Sequence, residues 1–353
     1  MAPKMSSLSP SPFPLPPSSY DALLLVSFGG PEGPDDVMPF LENVVRGKDV
    51  PKERLLEVAR HYELFDGVSP INGQCRALLA SLVAELNAHG PQLPVYWGNR
   101  NWHPLLADAI GQMAEDGVQR ALAFVTSPFG SYPGCRQYLE DIEHARQEVG
   151  PAAPQIDKLR LFYNHPGFIG PMAERVAAAW NEIPPERRDR ARLLFTAHSI
   201  PAAMAQPSPY EHQLHEACRG AVEPLSASHG RSLPWDLVFQ SRSGPPSQRW
   251  LEPDVRDHIR QLRADGIRDI VVAPIGFLLE HTEVIYDLDV AVAGLCDELG
   301  INMVRAGVVA NHPQLVQMIR ELANERLDPS SPRLALGSDG PWPDECPVDC
   351  CRQ

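Results

Sequence analysis

ARLLFTAHSI, residues 191–200, decides the fold. It is a near-continuous apolar run, short enough for a strand, and it reads as a parallel strand buried on both faces. His198 sits where the run gives way to a loop. DALLLVSFGG (21–30) repeats the form, and LPVYWGNRN (93–101), VQRALAFVTSPFG (118–130), WDLVFQSRSG (235–244), IRDIVVAPIGF (267–277) and INMVRAGVV (301–309) follow it. Helical periodicity occupies the intervals near 51–64, 73–89, 103–116, 169–180, 209–225, 251–264 and 285–299. The alternation predicts an α/β chain of two doubly wound lobes, 21–170 and 171–311. A last amphipathic helix within 312–330, carrying Leu315, Ile319, Leu322 and Leu327, is placed to bridge both lobes. Residues 1–20 read as a flexible Pro/Ser-rich tail and 331–353 as a cysteine-containing extension.

Acidic residues outnumber basic ones 45 to 31, for a formal charge of −14, which argues against a nucleic-acid surface. No apolar run reaches the roughly 20 residues of a bilayer-spanning helix, and the tail lacks the pattern of a leader peptide. A cytoplasmic protein is expected, with peripheral membrane contact left open and a monomer as the default. SFGGPEGP (27–34) has neither GxGxxG spacing nor a phosphate-binding lysine, so a dinucleotide site is rejected. It supplies a rigid turn above a strand end, with Phe28 as an apolar platform for a flat ligand.

Strand ends in α/β folds gather polar groups around a cleft. His198 ends one strand, and APIGFLLEHTEVIYDLD (273–289) delivers His281, Glu283 and Asp287 after another. If the segment after Thr282 is helical, Glu283 and Asp287 share a face. Imidazole facing carboxylates suits a divalent metal or a proton leaving a nitrogen acid. Seven cysteines, three of them at Cys346, Cys350 and Cys351, fit a disulfide scaffold poorly. The terminal trio suits zinc or an iron–sulfur centre but needs a fourth ligand.

The segments LLLVSFGGPEGP, FLENVVRG, DGVSPING, YWGNRNW, TSPFGSYPGCRQYLEDI, LLFTAHSIP, FQSRSGPPSQRWLEPD and PIGFLLEHTEVIYDLD, in this order across about 21–327, resemble the ferrochelatases. These enzymes insert ferrous iron into a porphyrin near the end of haem synthesis. The resemblance implies two similar Rossmann-like lobes, each with a parallel four-stranded sheet, facing a porphyrin cleft. It places the catalytic histidine on His198 and its partner glutamate on Glu283, with Asp287 continuing an acidic metal path that meets Ala291 one turn on. Insertion removes two pyrrole protons, so His198 is either the base or the ligand that presents iron; proton acceptance is the reading adopted. Phe28 stands where some relatives carry a tyrosine, so an axial oxygen ligand is absent. Arg46 and Ser69 fit propionate positions with Lys48 as helper, and Tyr132 and Trp250 are wall candidates.

Some ferrochelatases bind a [2Fe-2S] cluster, and the same resemblance assigns its ligands here to Cys135, Cys346, Cys350 and Cys351. Zinc-bound or free thiols are the rival. A tetrapyrrole carrier without catalysis, or a cobalt or nickel chelatase, would share the fold but not the full motif set. Protoporphyrin IX and coproporphyrin III remain open as substrates, since more propionates call for more cationic contacts.

Overall fold

The computed structural model describes residues 20–244, 247–347 and 350–351. The expected tail, apart from Tyr20, lies outside the described residues, as do Pro245 and Pro246 of RSGPP and the last two positions of the extension.

Among the described residues the apolar runs become strands β1 Ala22–Ser27, β2 Val95–Asn99, β3 Arg120–Val125, β5 Arg192–His198, β6 Trp235–Gln240, β7 Asp269–Ala273 and β8 Asn302–Arg305. A further strand, β4 Gln155–Lys158, has no counterpart in the sequence reading. QIDK is short, polar and at a sheet edge, so it carries no apolar run to betray it. The two sheets have the same order, β2-β1-β3-β4 and β6-β5-β7-β8, and every pairing is parallel.

Side chains alternate across each strand. Leu23 and Leu25 of β1, Leu193, Phe195 and Ala197 of β5, and Val271 and Ala273 of β7 enter one core shared by both lobes. Ala22, Leu24 and Val26 pack outward under helices Leu106–Glu115 and Gln137–Val149, while Leu194, Ile270 and Val272 pack under Val255–Ala264 and the helical segment after β7. Helix Pro313–Leu327 lies against both Ile71–His89 and Pro166–Glu182, fastened by an Arg320–Glu85 ion pair at 2.7 Å. Helices Val37–Val44 and Gln137–Val149 add to those expected, and the segment expected as one helix over 285–299 is a short α-turn, Thr282–Ile285, then a π-helix, Tyr286–Val292, then an α-helix, Ala293–Leu299.

The extension folds back as a strap. Arg160 and Glu325 form a buried pair, each side chain 1 % exposed, and Arg160 also donates to the Leu334 carbonyl. Asp339 accepts from Tyr163 of the first lobe's exit and meets His212 of helix Tyr210–Ser228 at 2.8 Å. Beside this strap His165 is fully buried; its Nδ1 accepts from the Gly167 N–H and so caps helix Pro166–Glu182. Burial and then the Arg160 charge hold its pKa down to about 3, and Glu321, 3.7 Å from Nε2, is beyond hydrogen-bond reach.

A histidine depressed in the folded state stabilises fully above its unfolded pKa near 6.5 and loses that contribution as pH falls toward the folded value. At pH 5 the expected loss is about 2 kcal/mol. His165→Asn, which keeps a capping acceptor without the titration, should flatten the decline between pH 6.5 and 5 in urea unfolding. A slope identical to that of the parent chain would contradict the assignment.

Candidate active site at the facing switch points

In an open parallel sheet the strand order reverses at one place, and the crossovers leave in opposite directions there, opening a crevice at the carboxyl ends. In this chain the reversal falls between β1 and β3 and again between β5 and β7. Phe28 follows β1, Tyr132 and Cys135 lie in the segment after β3, His198 ends β5 and Glu283 follows β7. The lobes meet beside these ends: the Gly130 N–H donates to Gln213 at 2.7 Å, and Phe129 packs edge-on against Tyr210.

His198 is held from several sides. It pairs with Gln240 in the β5–β6 register, and its carbonyl accepts from the buried Tyr210 hydroxyl at 3.0 Å. Nδ1 lies 2.5 Å from the Ser199 carbonyl, which accepts only, so Nδ1 carries the proton and the neutral ring presents the Nε2 lone pair. Nε2 faces Glu283 Oε1 at 3.7 Å, an electrostatic contact longer than a formed hydrogen bond.

The close approach depends on Gly276. A Cβ there would stand 2.6 Å from the Ala197 Cα, so only glycine lets the loop after β7 lie on the end of β5. The Gly276 N–H donates to the Thr196 carbonyl at 3.0 Å, completing the seat.

Both partners reach solvent through the cleft mouth, 35 % exposed for His198 and 46 % for Glu283, while protein atoms ring them. Desolvation opposes charging of His198, but the Glu283 contact, the Ser199 carbonyl and the Asp287 charge outweigh it and raise the pKa. Glu283 is likewise desolvated, yet His198, His281 and His61 hold it below the usual carboxylate range. Asp287 moves the other way, to about 6, through burial and Glu283 repulsion, against a Ser241 hydroxyl bond and the His198 charge. Two neighbouring carboxylates thus differ in proton affinity, an arrangement suited to separate roles. His281 is pushed down by burial, against the attraction of Glu283, and packs edge-on to Phe277.

The other expected site residues surround this pair. Phe28 is half-buried between the Phe40 edge and the Arg100 guanidinium, 5.7 Å from its ring. Arg46 is exposed and donates to Asn43 at 2.5 Å; Asn43 in turn donates to the Asn101 carbonyl, and the Asn101 N–H meets the Phe28 carbonyl. Lys48 is exposed two residues on. Ser69 is buried and its hydroxyl faces the Thr282 N–H at 3.4 Å, one residue before Glu283. The Tyr132 hydroxyl donates to Glu140. Trp250 packs on Gly244, and its indole N–H finds no partner among the described residues. Asp289 bonds Arg305 at 3.2 Å instead of extending the Glu283–Asp287 pair.

Sequence reasoning missed His61, which stacks on Tyr286 at 3.6 Å, and Tyr210 behind His198. Nothing in the helical pattern of 52–63 marks His61; only the approach of the lobes does.

The cysteines also converge. Cys135, buried in a π-helical turn Tyr132–Arg136, lines one cavity with Cys346, Cys350 and Cys351, together with Arg136, Lys158 and Arg326. Cys350 and Cys351 sulfurs are 3.6 Å apart, and the Trp342 indole N–H points at Cys346 Sγ. Hydrogen bonding from Cys135, against desolvation, lowers the Cys346 pKa to about 5, and Cys135 is pushed up in exchange. Among the described residues no three His, Cys, Asp or Glu side chains are disposed as a closed metal nest, here or at His198.

Twin doubly wound α/β lobes thus bring an imidazole and two carboxylates to one switch point. SirB from Bacillus subtilis, solved with Fe3+, shares the fold at a TM-score of 0.53 and 11% identity, covering 90% of this chain and 99% of that one. The chain belongs to the ferrochelatase family, whose model matches residues 20–327. A ferrochelatase from Rhodopirellula baltica is 55% identical over 338 residues, covering 96% of this chain and 94% of that protein. A coproporphyrin III ferrochelatase from Frankia alni is 49% identical, with 95% and 87% covered, and one from Nocardia farcinica 50%, with 91% and 92%. As a family member the protein is an iron-inserting enzyme of haem biosynthesis.

The seat of Glu283 can be tested through Gly276. Gly276→Ala should destabilise by about 1–3 kcal/mol in urea unfolding, because backbone rather than a flexible tip receives the added methyl. Unchanged stability would mean that the loop has room that the geometry denies.

Proposed function

We propose that His198 and Glu283 carry the insertion of Fe2+ into coproporphyrin III bound between the lobes. The observation that carries the reading is the His198 tautomer: with Nδ1–H held by the Ser199 carbonyl, Nε2 is a base aimed into the cleft. Two N–H bonds of the porphyrin break and all four ring nitrogens bind the iron, so two protons must leave. His198 Nε2 accepts them in turn, and Glu283, kept ionised, stabilises the imidazolium and passes protons toward solvent. Asp287, four positions beyond Glu283, supplies a second carboxylate for the cation's approach. An open arrangement suits a metal that is substrate, since a closed nest would retain iron that the four ring nitrogens must receive.

Phe28 serves as the apolar platform on the ring's other face, with Tyr132 and Trp250 as walls. Arg46, Lys48 and Ser69 take propionates; Arg46 and Lys48 are exposed cations on the rim, in keeping with a tetracarboxylate. The Frankia alni and Nocardia farcinica relatives, both coproporphyrin III ferrochelatases, support the same choice. Protoporphyrin IX is the second reading; the Rhodopirellula baltica relative is a ferrochelatase whose name specifies no porphyrin.

Cys135, Cys346, Cys350 and Cys351, which line one cavity, are the donor set we assign to a [2Fe-2S] cluster; as they stand their side chains do not form a metal nest and would have to close around the cluster to hold it. Each iron takes two thiolates besides the bridging sulfides, so paired donors are the relevant unit. The same cavity is lined by the cations Arg136, Lys158 and Arg326 and by the carboxylates Asp157, Asp344 and Glu345. When bound, the cluster supplies a cross-link between the extension and the first lobe; metal insertion needs no electron. Free cysteines throughout fit a reducing, cytoplasmic setting.

Anaerobic Fe2+ insertion measured with both porphyrins side by side should favour coproporphyrin III, and a preference for protoporphyrin IX would reverse the substrate assignment. His198→Ala should lose insertion by about 100-fold or more while porphyrin binding persists; near-normal turnover would sink the base role. Cys135→Ser should abolish the visible absorption and electron paramagnetic resonance of an iron–sulfur centre. One zinc per chain with no visible absorption in the parent protein would replace the cluster with a zinc site.

A further inference from the structure

Glu283 belongs to the second lobe by sequence, and Val284, Leu288 and Val292 of its segment are buried in that lobe's outer core, but the polar and aromatic contacts on its other side come from the first lobe. The Glu280 N–H donates to Gln74 Oε1 at 2.9 Å, and the Thr282 N–H faces Ser69 Oγ at 3.4 Å. The Tyr286 ring lies flat on His61, 3.6 Å between centroids and 9° between planes. Gln74 begins helix Ile71–His89 and His61 ends helix Lys52–Glu63, both in the first lobe. From the second lobe, Arg305 of β8 grips the ends of the segment through Glu280 at 2.7 Å and Asp289 at 3.2 Å.

The segment needs such props. Thr282–Ile285 is a single α-turn that passes into a π-helix at Tyr286. A π-helix is wide and its hydrogen-bond geometry poor, so it does not fix its own path as a long α-helix would. His198, by contrast, is set by the β5–β6 ladder and by Tyr210 within its own lobe. The distance between base and carboxylate is therefore decided by two different bodies.

We infer that Gln74 and His61 are positioning residues of the insertion reaction, through which the first lobe holds Glu283 at its working distance from His198. His61 acts through the flat face of its ring, which covers Tyr286, and Gln74 through the carbonyl that takes the Glu280 N–H. The site is thus assembled across the cleft, and a change in lobe spacing is felt first at Glu283. This rests on the reading of Glu283 as the working carboxylate, which Glu283→Gln tests separately: retained turnover in that variant fails the reading whatever the positioning variants do.

The experiment is steady-state Fe2+ insertion by full-length His61→Ala, His61→Phe and Gln74→Leu, with thermal midpoint recorded for each. Phenylalanine keeps the flat face and removes both nitrogens. His61→Ala and Gln74→Leu should lower kcat about tenfold, with the porphyrin KM within about twofold of the parent. His61→Phe should recover to within about threefold of the parent rate, given the same stacking geometry. Equal loss in His61→Phe and His61→Ala would overturn the assignment, because a ring nitrogen would then be acting on iron or porphyrin. So would unchanged kcat in both His61→Ala and Gln74→Leu, or a KM that rises in step with the loss. If His61→Ala proves unfolded, Gln74→Leu and His61→Phe decide by the same criteria.

Discussion

Parallel pairing is the constraint on which this molecule depends. A parallel strand cannot return by a hairpin, so each connection is a crossover with a helix that covers a sheet face. One reversal of strand order then leaves a crevice at the carboxyl ends of two strands. This chain meets the constraint twice with the same order, and its outer cores are separate while its inner faces share one. The crevices are left where two inner faces come together, and the polar strand ends have nowhere else to point.

Charge in the crevice is divided rather than pooled. Burial alone would suppress His198 and both carboxylates. The contact between His198 and Glu283 reverses that for the pair, and Asp287 absorbs the remainder of the repulsion. A basic imidazole, an ionised carboxylate and a carboxyl titrating near neutrality stand within one cleft.

The carboxyl-terminal strap joins what the crossovers leave apart. It runs from the buried Arg160–Glu325 pair past Tyr163 and His212 to the cysteine cavity on the β4 edge. Its bonds reach both lobes, so the cysteines are fixed to the body that sets the cleft. The π-helical turns after β3 and β7 stand at matching places in the repeat, one holding Cys135 and the other following Glu283. Both π-helical turns among the described residues therefore fall beside these polar groups.

The apolar runs announced seven of the strands, and β4 alone escaped because QIDK has no hydrophobic signature. Burial on both faces is a property of composition, so it is written into the sequence. His198, Glu283 and the four thiols were singled out by the resemblance of their motifs to the ferrochelatases and not by local pattern alone, since a polar residue at a strand end or in a terminal extension has many structural uses. His61 and Gln74 carry no such mark, since each lies in an ordinary amphipathic helix. Only the packing of one lobe against the other brings Tyr286 onto His61 and Glu280 onto Gln74. Cys135 and Cys346 are likewise 211 positions apart in the chain and meet only through the fold-back of the strap. Local pattern determined the strands and the repeat, because these follow from backbone period and burial within a few residues. The distances between the reactive side chains, and the proton affinities those distances impose, were decided by tertiary structure, because electrostatic energy depends on separation in space and not along the chain.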